Sequence, residues 1–488
     1  MDHKTVMVLL FGLVTSACGG GDGGGDSVAG GSGVAPPNSP PVASFTVTPS
    51  NGAAPLAVQF DASASTDNGG AITTYSWNFG DNSATTSGVS VGHTFLATGT
   101  HTVTLTVTDN GGTSSSTTRQ VSVNQATSLS KIAAIDNGDM TVCAVGVDGR
   151  AWCWGLNDFG QLGTGDVAQA FVPRSAAEGH LFQKVSVSTG GAFTCGLTTA
   201  GRAYCWGSQE GGRLGDGSTA PSGQHVTTPI AVAGGHAFTD IAAGGDHACA
   251  VADDGAAYCW GHNERGQLGT GNFANSAIPV AVTSGLRFKS ITAHQTVTCG
   301  ITGDGAGYCW GNGAAGTIGS GSNSSSYVPM LIRGGLRFST LQLGVLTACG
   351  VTVDAVGYCW GNNGSGELGI GSKDPAEALE PARVVGAHTW KSISPGVAVT
   401  CGVTTDGRGY CWGGNAWGER GDGAFPAPDV TSPVPVAGGH AFQSIDADWC
   451  SCGVAGDVAY CWGPGMEGCI GDGAKINRGV PTMVAGQQ

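Results

Sequence analysis

An all-β fold, a seven-bladed β-propeller behind an N-terminal β-sandwich, is predicted from three observations. The tripeptide Cys-Trp-Gly recurs at Cys153, Cys205, Cys259, Cys309, Cys359, Cys411 and Cys461, in steps of 52, 54, 50, 50, 52 and 50 residues. Ahead of these repeats, apolar residues alternate with polar ones over short runs, the period of half-buried strands. Glycine supplies 87 of 488 residues while hydrophobic content stays at 40%. That combination fits many short strands joined by tight turns, not a disordered chain.

The chain opens with residues 1–18, read as a signal peptide. Val6 to Val14 is an apolar run of nine residues, too short to span a bilayer. Thr15-Ser16-Ala17-Cys18 follows, and small residues before a cysteine resemble the end of a bacterial lipoprotein signal. The resemblance implies that Cys18 is lipidated and becomes the mature N-terminus. It departs at Thr15, where the pattern usually has Leu, and an ordinary cleaved signal is the alternative. Residues 19–41 read as a tether: Gly19 to Gly33 is glycine with Asp, Ser and Ala, and Pro36-Pro37 and Pro40-Pro41 stiffen its end. No other stretch has the length of a membrane-spanning helix.

Residues 42–125 carry the sandwich. Phe45, Val47, Leu56, Val58, Phe60, Val103, Leu105, Val107, Val121 and Val123 alternate with polar residues, and Asn-Gly and Gly-Gly turns separate the runs. About seven strands over this length is the size of an immunoglobulin-like sandwich. The segments Tyr75-Ser76-Trp77-Asn78-Phe79-Gly80-Asp81, His93-Thr94-Phe95 and Gly99 to Leu105 resemble the polycystic-kidney-disease-type domain. The resemblance implies Trp77 and Phe79 in the core and a role in presentation or adhesion. Asp81 and His93 are expected to hydrogen-bond structurally at a strand end.

Residues 129–488 hold seven units, each read as four short strands. No unit has enough core to stand alone, so the units must pack side by side around an axis. The Asp-Gly turn, Tyr-Cys-Trp-Gly, and Gly-Gln-Leu-Gly at Gly160 to Gly163 and Gly266 to Gly269 resemble regulator-of-chromosome-condensation repeats. In that family the propeller serves as an exchange factor, an inhibitor or a protein-binding scaffold, so the resemblance specifies the fold more closely than the task. Export would exclude a nuclear role. Whether the last strand, Pro481 to Val484, completes the first blade stays open.

The cysteines pair by spacing. Cys143/Cys153, Cys195/Cys205, Cys249/Cys259, Cys299/Cys309, Cys349/Cys359 and Cys401/Cys411 are ten apart, and three-residue hairpin loops such as Val147-Asp148-Gly149 set each pair directly opposite. In the seventh unit Cys452 and Cys461 are nine apart, and the loop shortens to Gly456-Asp457. Loop and spacing change together, as a cross-strand disulfide requires. Cys450 and Cys469 are left over and are expected to form an eighth bond. Zinc would need clustered cysteines or histidine partners, which the spacing does not supply.

No catalytic motif, metal set or cofactor site is found. His180, His236, His388 and His440 recur at one repeat position and read as structural, and Asp254, Asp304, Asp354 and Asp406 read as turn residues. The repeats diverge most in units six and seven, at Trp417, Arg420 and Trp449. These are the candidate binding residues, with local repacking around an extra disulfide as the competing reading. The insertion Ser208 to Thr228 is a second candidate. A net charge of −15 disfavours nucleic acid. The expectation is a monomeric, non-catalytic scaffold that is exported and held at the cell surface or outer membrane by its lipid, or else periplasmic or secreted. Its partner would be a protein or, alternatively, a polysaccharide.

Overall fold

The computed structural model describes residues 38–487 apart from 54–55, 96–97, 125–128 and 130. Cys18, the signal segment and most of the tether lie outside the described residues.

Two sheets form the sandwich. One has five strands, in the order Asn51–Ala53, Ser114–Asn124, Gly99–Asp109, Ile72–Asn78 and Thr86–Ser87. The other has three, in the order Thr46–Thr48, Leu56–Asp61 and Ser90–Phe95. Leu56, Val58 and Phe60 point inward while Ala57, Gln59 and Asp61 face solvent, the period-two pattern of a one-sided sheet. Trp77, Phe79, Phe45, Phe60 and Phe95 are buried between the sheets. Trp77 also has a polar end to satisfy, and its indole N–H donates to Gly88 O at 2.8 Å. His93 stacks on Phe79 at 3.9 Å and bonds to Asp81 at 2.6 Å, so this pair ties the end of the sandwich together.

Seven four-stranded antiparallel sheets follow, each running in chain order from inner to outer strand. Blade 1 is Ile132–Gly138, Thr141–Gly146, Ala151–Gly155 and Ala170–Ala176; blade 7 is Phe442–Ala447, Ser451–Ala455, Val458–Gly463 and Arg478–Met483. The final strand therefore pairs within its own blade, and the ring closes without strand exchange. The closing contacts are short: Leu129 N–H donates to Gly486 O at 3.0 Å and Ile132 N–H to Asp457 O at 2.8 Å. A swapped outer strand is not required, because the seam between blades 7 and 1 is packed like the others.

That packing is built from the Cys-Trp-Gly signature. In each blade the pairing of the third and fourth strands slips at the tryptophan, a bulge that re-aims its side chain. Each indole then reaches the preceding blade and donates to a loop carbonyl. The pairs are Trp154 to Cys469, Trp206 to Gln161, Trp260 to Arg213, Trp310 to Gln267, Trp360 to Thr317, Trp412 to Glu367 and Trp462 to Glu419, all at 2.7–3.0 Å. Two residues beyond each accepting carbonyl stands a glycine. At Gly269, φ is +66° and an added Cβ would lie 2.8 Å from the Trp310 indole nitrogen, so no larger residue fits without displacing the ring.

Seven disulfides staple the second strand of each blade to the third: Cys143–Cys153, Cys195–Cys205, Cys249–Cys259, Cys299–Cys309, Cys349–Cys359, Cys401–Cys411 and Cys452–Cys461, with Cα atoms 4.0–4.2 Å apart. In the short seventh hairpin Gly456 and Asp457 both take positive φ, as a two-residue turn requires. The expected eighth bond is corrected: Cys450 and Cys469 are free thiols, both buried. They come from different loops, not from facing strands of one hairpin, and their thiols lie side by side without being joined. Cys450 sits just before the second strand of blade 7, where Asn137 Nδ2 donates to its carbonyl at 2.6 Å. Cys469 takes the loop place of Gln161, and its thiol donates to Pro464 O at 3.0 Å. Burial, with the neighbouring Cys450 thiol, holds Cys469 well above the usual thiol range, so it stays protonated.

Two outcomes are expected. Alkylation of the unfolded, unreduced propeller labels Cys450 and Cys469 but none of the fourteen paired cysteines, as read by peptide mass mapping. Trp310→Phe removes the indole donor, leaves Gln267 O with the Thr298 hydroxyl alone, and lowers thermal stability by about 1–3 kcal/mol in calorimetry.

Candidate functional site

In a four-stranded meander the loops joining strands one to two and three to four emerge at one end of the blade. On that face Trp417 (47% exposed) and Trp449 (39% exposed) flank a groove of about 360 Å³ between blades 6 and 7. Val399, Asn415, Glu419, Asp429 and Asp448 line the rest of it. Trp417 stands where other repeats carry Phe159, Arg265, Ala315, Ser365 or Glu467, and its backbone N–H donates to Glu419 Oε2 at 2.9 Å. Asp429 is paired with Lys373 at 2.7 Å.

Arg420 does not join the two tryptophans at the surface, which corrects its reading as a binding anchor. It is 3% exposed and fills the core place taken by Leu162, Leu214 and Leu268 elsewhere. A guanidinium there must be paired. Its Nε donates to Asp422 at 2.9 Å, and one terminal nitrogen donates to Pro428 O at 2.7 Å and Gly413 O at 3.3 Å. The Ser208 to Thr228 insertion folds back on itself through a bridge between Glu210 and Ala220 and a bond from Gln209 N–H to Gln224 O.

A second concavity lies on the axis, where the seven inner strands meet, with a volume of about 250 Å³. Around the axis runs an incomplete ring of side chains that accept backbone N–H groups from the next blade, most of them on the cavity wall. Asp136 accepts from Val187, Ser186 from Ala243, Asp240 from Ile291, Ser394 from Ala447 and Asp446 from Asn137, at 2.6–3.3 Å. Lys184 is held by Asp240 at 2.6 Å. Asp448, 4% exposed, lines both the axial cavity and the groove, and accepts the Asp139 N–H at 3.0 Å.

Three carboxyls thus gather at the seam of blades 7 and 1. Loss of solvent around Asp136 and Asp446 pushes both well above the usual carboxylate range, and for Asp136 the charge of Asp446 adds to the effect. Burial, with the charges of Asp446, Asp139 and Asp136, pushes Asp448 up to about 8. Among the described residues no ion pair reaches Asp136, Asp446 or Asp448, and no group of His, Cys, Asp and Glu is arranged to hold a metal ion.

Sequence reasoning did not single out this cluster, although a signal is present. Unit seven reads Ile445-Asp446-Ala447-Asp448 where unit three reads Ile241-Ala242-Ala243-Gly244. It also missed Asn157, Asn263, Asn363 and Asn415, each buried and accepting a loop N–H through Oδ1. Of the residues read as structural, His180, His236, His388 and His440 pack on Tyr204, Tyr258, Tyr410 and Tyr460 with ring centroids 4.2–4.3 Å apart. Asp254 and Asp304 each accept the N–H two residues on, as turn residues do.

Comparison with known proteins fits this geometry. A PKD domain model matches residues 38–124, and the regulator of chromosome condensation (RCC1) repeat matches residues 148–197, 200–251 and 254–301. The chain carries a PKD domain at residues 38–124 and RCC1 repeats within residues 148–301, in a propeller of seven blades. Relatives include human E3 ubiquitin-protein ligase HERC2, 29% identical over 145 residues, and the Arabidopsis thaliana ultraviolet-B receptor UVR8, 31% identical over 148 residues. The aligned segments cover 29% and 30% of this chain but only 3% of HERC2 and 33% of UVR8. Among solved structures the RCC1 propeller Prp20p of Saccharomyces cerevisiae superposes with a TM-score of 0.60 at 23% identity, covering 70% of this chain and 87% of that one. Human WBSCR16 gives 0.61 at 16% identity, covering 69% and 94%. At these identities the likeness is one of fold.

The seam carboxyls set a pH dependence. A carboxyl whose folded value is raised to about 8 binds its proton more tightly in the folded chain than in the unfolded one, where it titrates near 3.8. Its contribution is whole below pH 4 and is lost as pH rises toward 8. Asp448→Asn keeps the acceptor for Asp139 N–H and cannot ionise. Its stability relative to the parent should therefore grow between pH 5 and pH 8, by an amount on the order of a few kcal/mol, in paired thermal melts.

Proposed function

We propose that this chain is a non-catalytic binding protein that presents its RCC1-type propeller outside the cell and takes a protein partner on the face carrying Trp417 and Trp449. The observation that carries the reading is the groove itself. Two large aromatic side chains are left exposed at one seam of a propeller whose other tryptophan positions are consumed in packing. Exposed tryptophans beside a concavity are the usual anchors of protein interfaces. RCC1-type propellers are interaction scaffolds, and Prp20p has binding properties toward Gsp1p and histones, which are proteins.

An extracellular setting is supported by the PKD domain and by the seven disulfides, which persist in oxidising compartments. Among the described residues no helix is long and apolar enough to cross a membrane. Attachment through Cys18, with residues 19–41 as the tether, completes the proposal. The sandwich then acts as a spacer that lifts the propeller clear of the surface.

The test is comparative affinity capture from the extracellular fraction with the full chain as bait. Trp417→Ala/Trp449→Ala should lose at least about tenfold of the captured partner, while Val353→Ala, on the hairpin end of the propeller, retains it. Equal capture by both baits contradicts the reading. Selective retention on polysaccharide, abolished by the same double substitution, would replace it with glycan recognition.

A further inference from the structure

We propose that the axial cavity is a binding site for a primary alkylammonium group, with the charged head against Asp136, Asp446 and Asp448 and the chain along an apolar patch of the wall. The inference goes beyond partner binding on the loop face and does not depend on it.

Four observations carry it. The first is charge. Lys184, the cation on the cavity wall, is hydrogen-bonded to Asp240 and acts on Asp136 and Asp446 only through space, so the three seam carboxyls outnumber the positive charge near them. The second is unmet bonding. Asn137 is 6% exposed and its Oδ1 has no partner; its backbone N–H donates to Asp446 and its side-chain Nδ2 to Cys450 O. His294 is 5% exposed, and neither ring nitrogen has a partner. Both side chains line the cavity. An unpaired buried acceptor is costly, so Asn137 Oδ1 and the unprotonated ring nitrogen of the neutral His294 call for a donor supplied from outside the fold, while the other ring nitrogen is left to donate.

The third observation is shape. At the repeat position of His294 and Asp448 the other blades carry Gly138, Ser188, Gly244, Gly344 and Gly396. Two functional side chains therefore stand in a ring otherwise kept nearly bare, on blades three steps apart. The fourth is the wall. Val187, Ala243, Ile291 and Leu343 bring a smaller apolar patch to a cavity whose wall is otherwise mostly polar. An ammonium needs acceptors at one end, while its alkyl chain needs dry contact behind. A bare metal ion would leave that patch uncovered, and the carboxyls are not arranged as a ligand set. The chemistry is met by a free aliphatic amine or by a lysine side chain of a protein.

The test uses the full chain with butylammonium chloride and, in a second arm, a short lysine-containing peptide. Binding is read by isothermal titration calorimetry and thermal shift, against sodium chloride at equal ionic strength. Saturable binding of either probe is expected, weakened at least about tenfold by Asp448→Asn and by Asp446→Asn. Asp254→Asn, which removes a charge at an exposed hairpin turn, leaves it unchanged. Binding of butylammonium identifies a free-amine site, and binding of the peptide alone a lysine site; both support the proposal. Three results overturn it: no stabilisation beyond that given by sodium chloride, equal stabilisation by 1-butanol, or binding of calcium or magnesium that depends on Asp448 while neither amine binds.

Discussion

The propeller depends on one repeated contact, the indole N–H of each Cys-Trp-Gly tryptophan donating to a carbonyl of the blade before it. These bonds are buried, so breaking one leaves the indole N–H without water, while the carbonyl keeps only a hydroxyl donor, from Thr194, Thr298 or Thr400. The contact explains why three separate parts of the repeat are linked. The bulge aims the ring, the bare glycine makes room for it, and the Gly-x-Leu-Gly loop turns the accepting carbonyl inward. Change one and the other two lose their purpose. The disulfides act on a different axis. They lock the second strand of a blade to the third, whereas the tryptophans lock blade to blade.

Because Trp154 reaches back to Cys469, the ring closes with the same bond that builds it. The seam between blades 7 and 1 is therefore as well tied as any other and is free to diverge. Divergence is concentrated near it. Asp136, Asn137, Asp446, Asp448, Trp449, Cys450 and Cys469 are all departures from the repeat, and all lie in the first or last unit. Asp448 links the axial cavity to the tryptophan groove, so the two concavities share a wall. Raised carboxyl values here are a stability cost that the remainder of the ring is built to bear.

Much of the fold was legible in the sequence because repeats expose their own constraints. A fifty-residue period with a fixed tryptophan shows that each unit solves the same packing problem. Loop length set the hairpin register, since an odd or even loop decides which residues stand opposite. What periodicity could not show is where a departure points. Arg420 looks like a surface anchor beside Trp417, but it occupies an inward leucine place, and only Asp422 and two carbonyls make that tenable. Cys450 and Cys469 form a natural remainder pair by count; they come from loops of different kinds and meet as neighbouring buried thiols that stay unjoined, which no hairpin register could show. The axial carboxyls were hidden for a related reason. Their meaning comes from three residues in the first and seventh units, far apart along the chain, that meet only when the ring closes.

The proposed site of partner recognition is the loop face at the seam of blades 6 and 7. Its most direct test is site-specific photo-crosslinking in the native cell, with a photoreactive phenylalanine at position 417 or, for comparison, at position 353. A discrete protein adduct from position 417 and none from position 353 is the expected result. An adduct from position 353 alone, or none from either position, would contradict the assignment of this face.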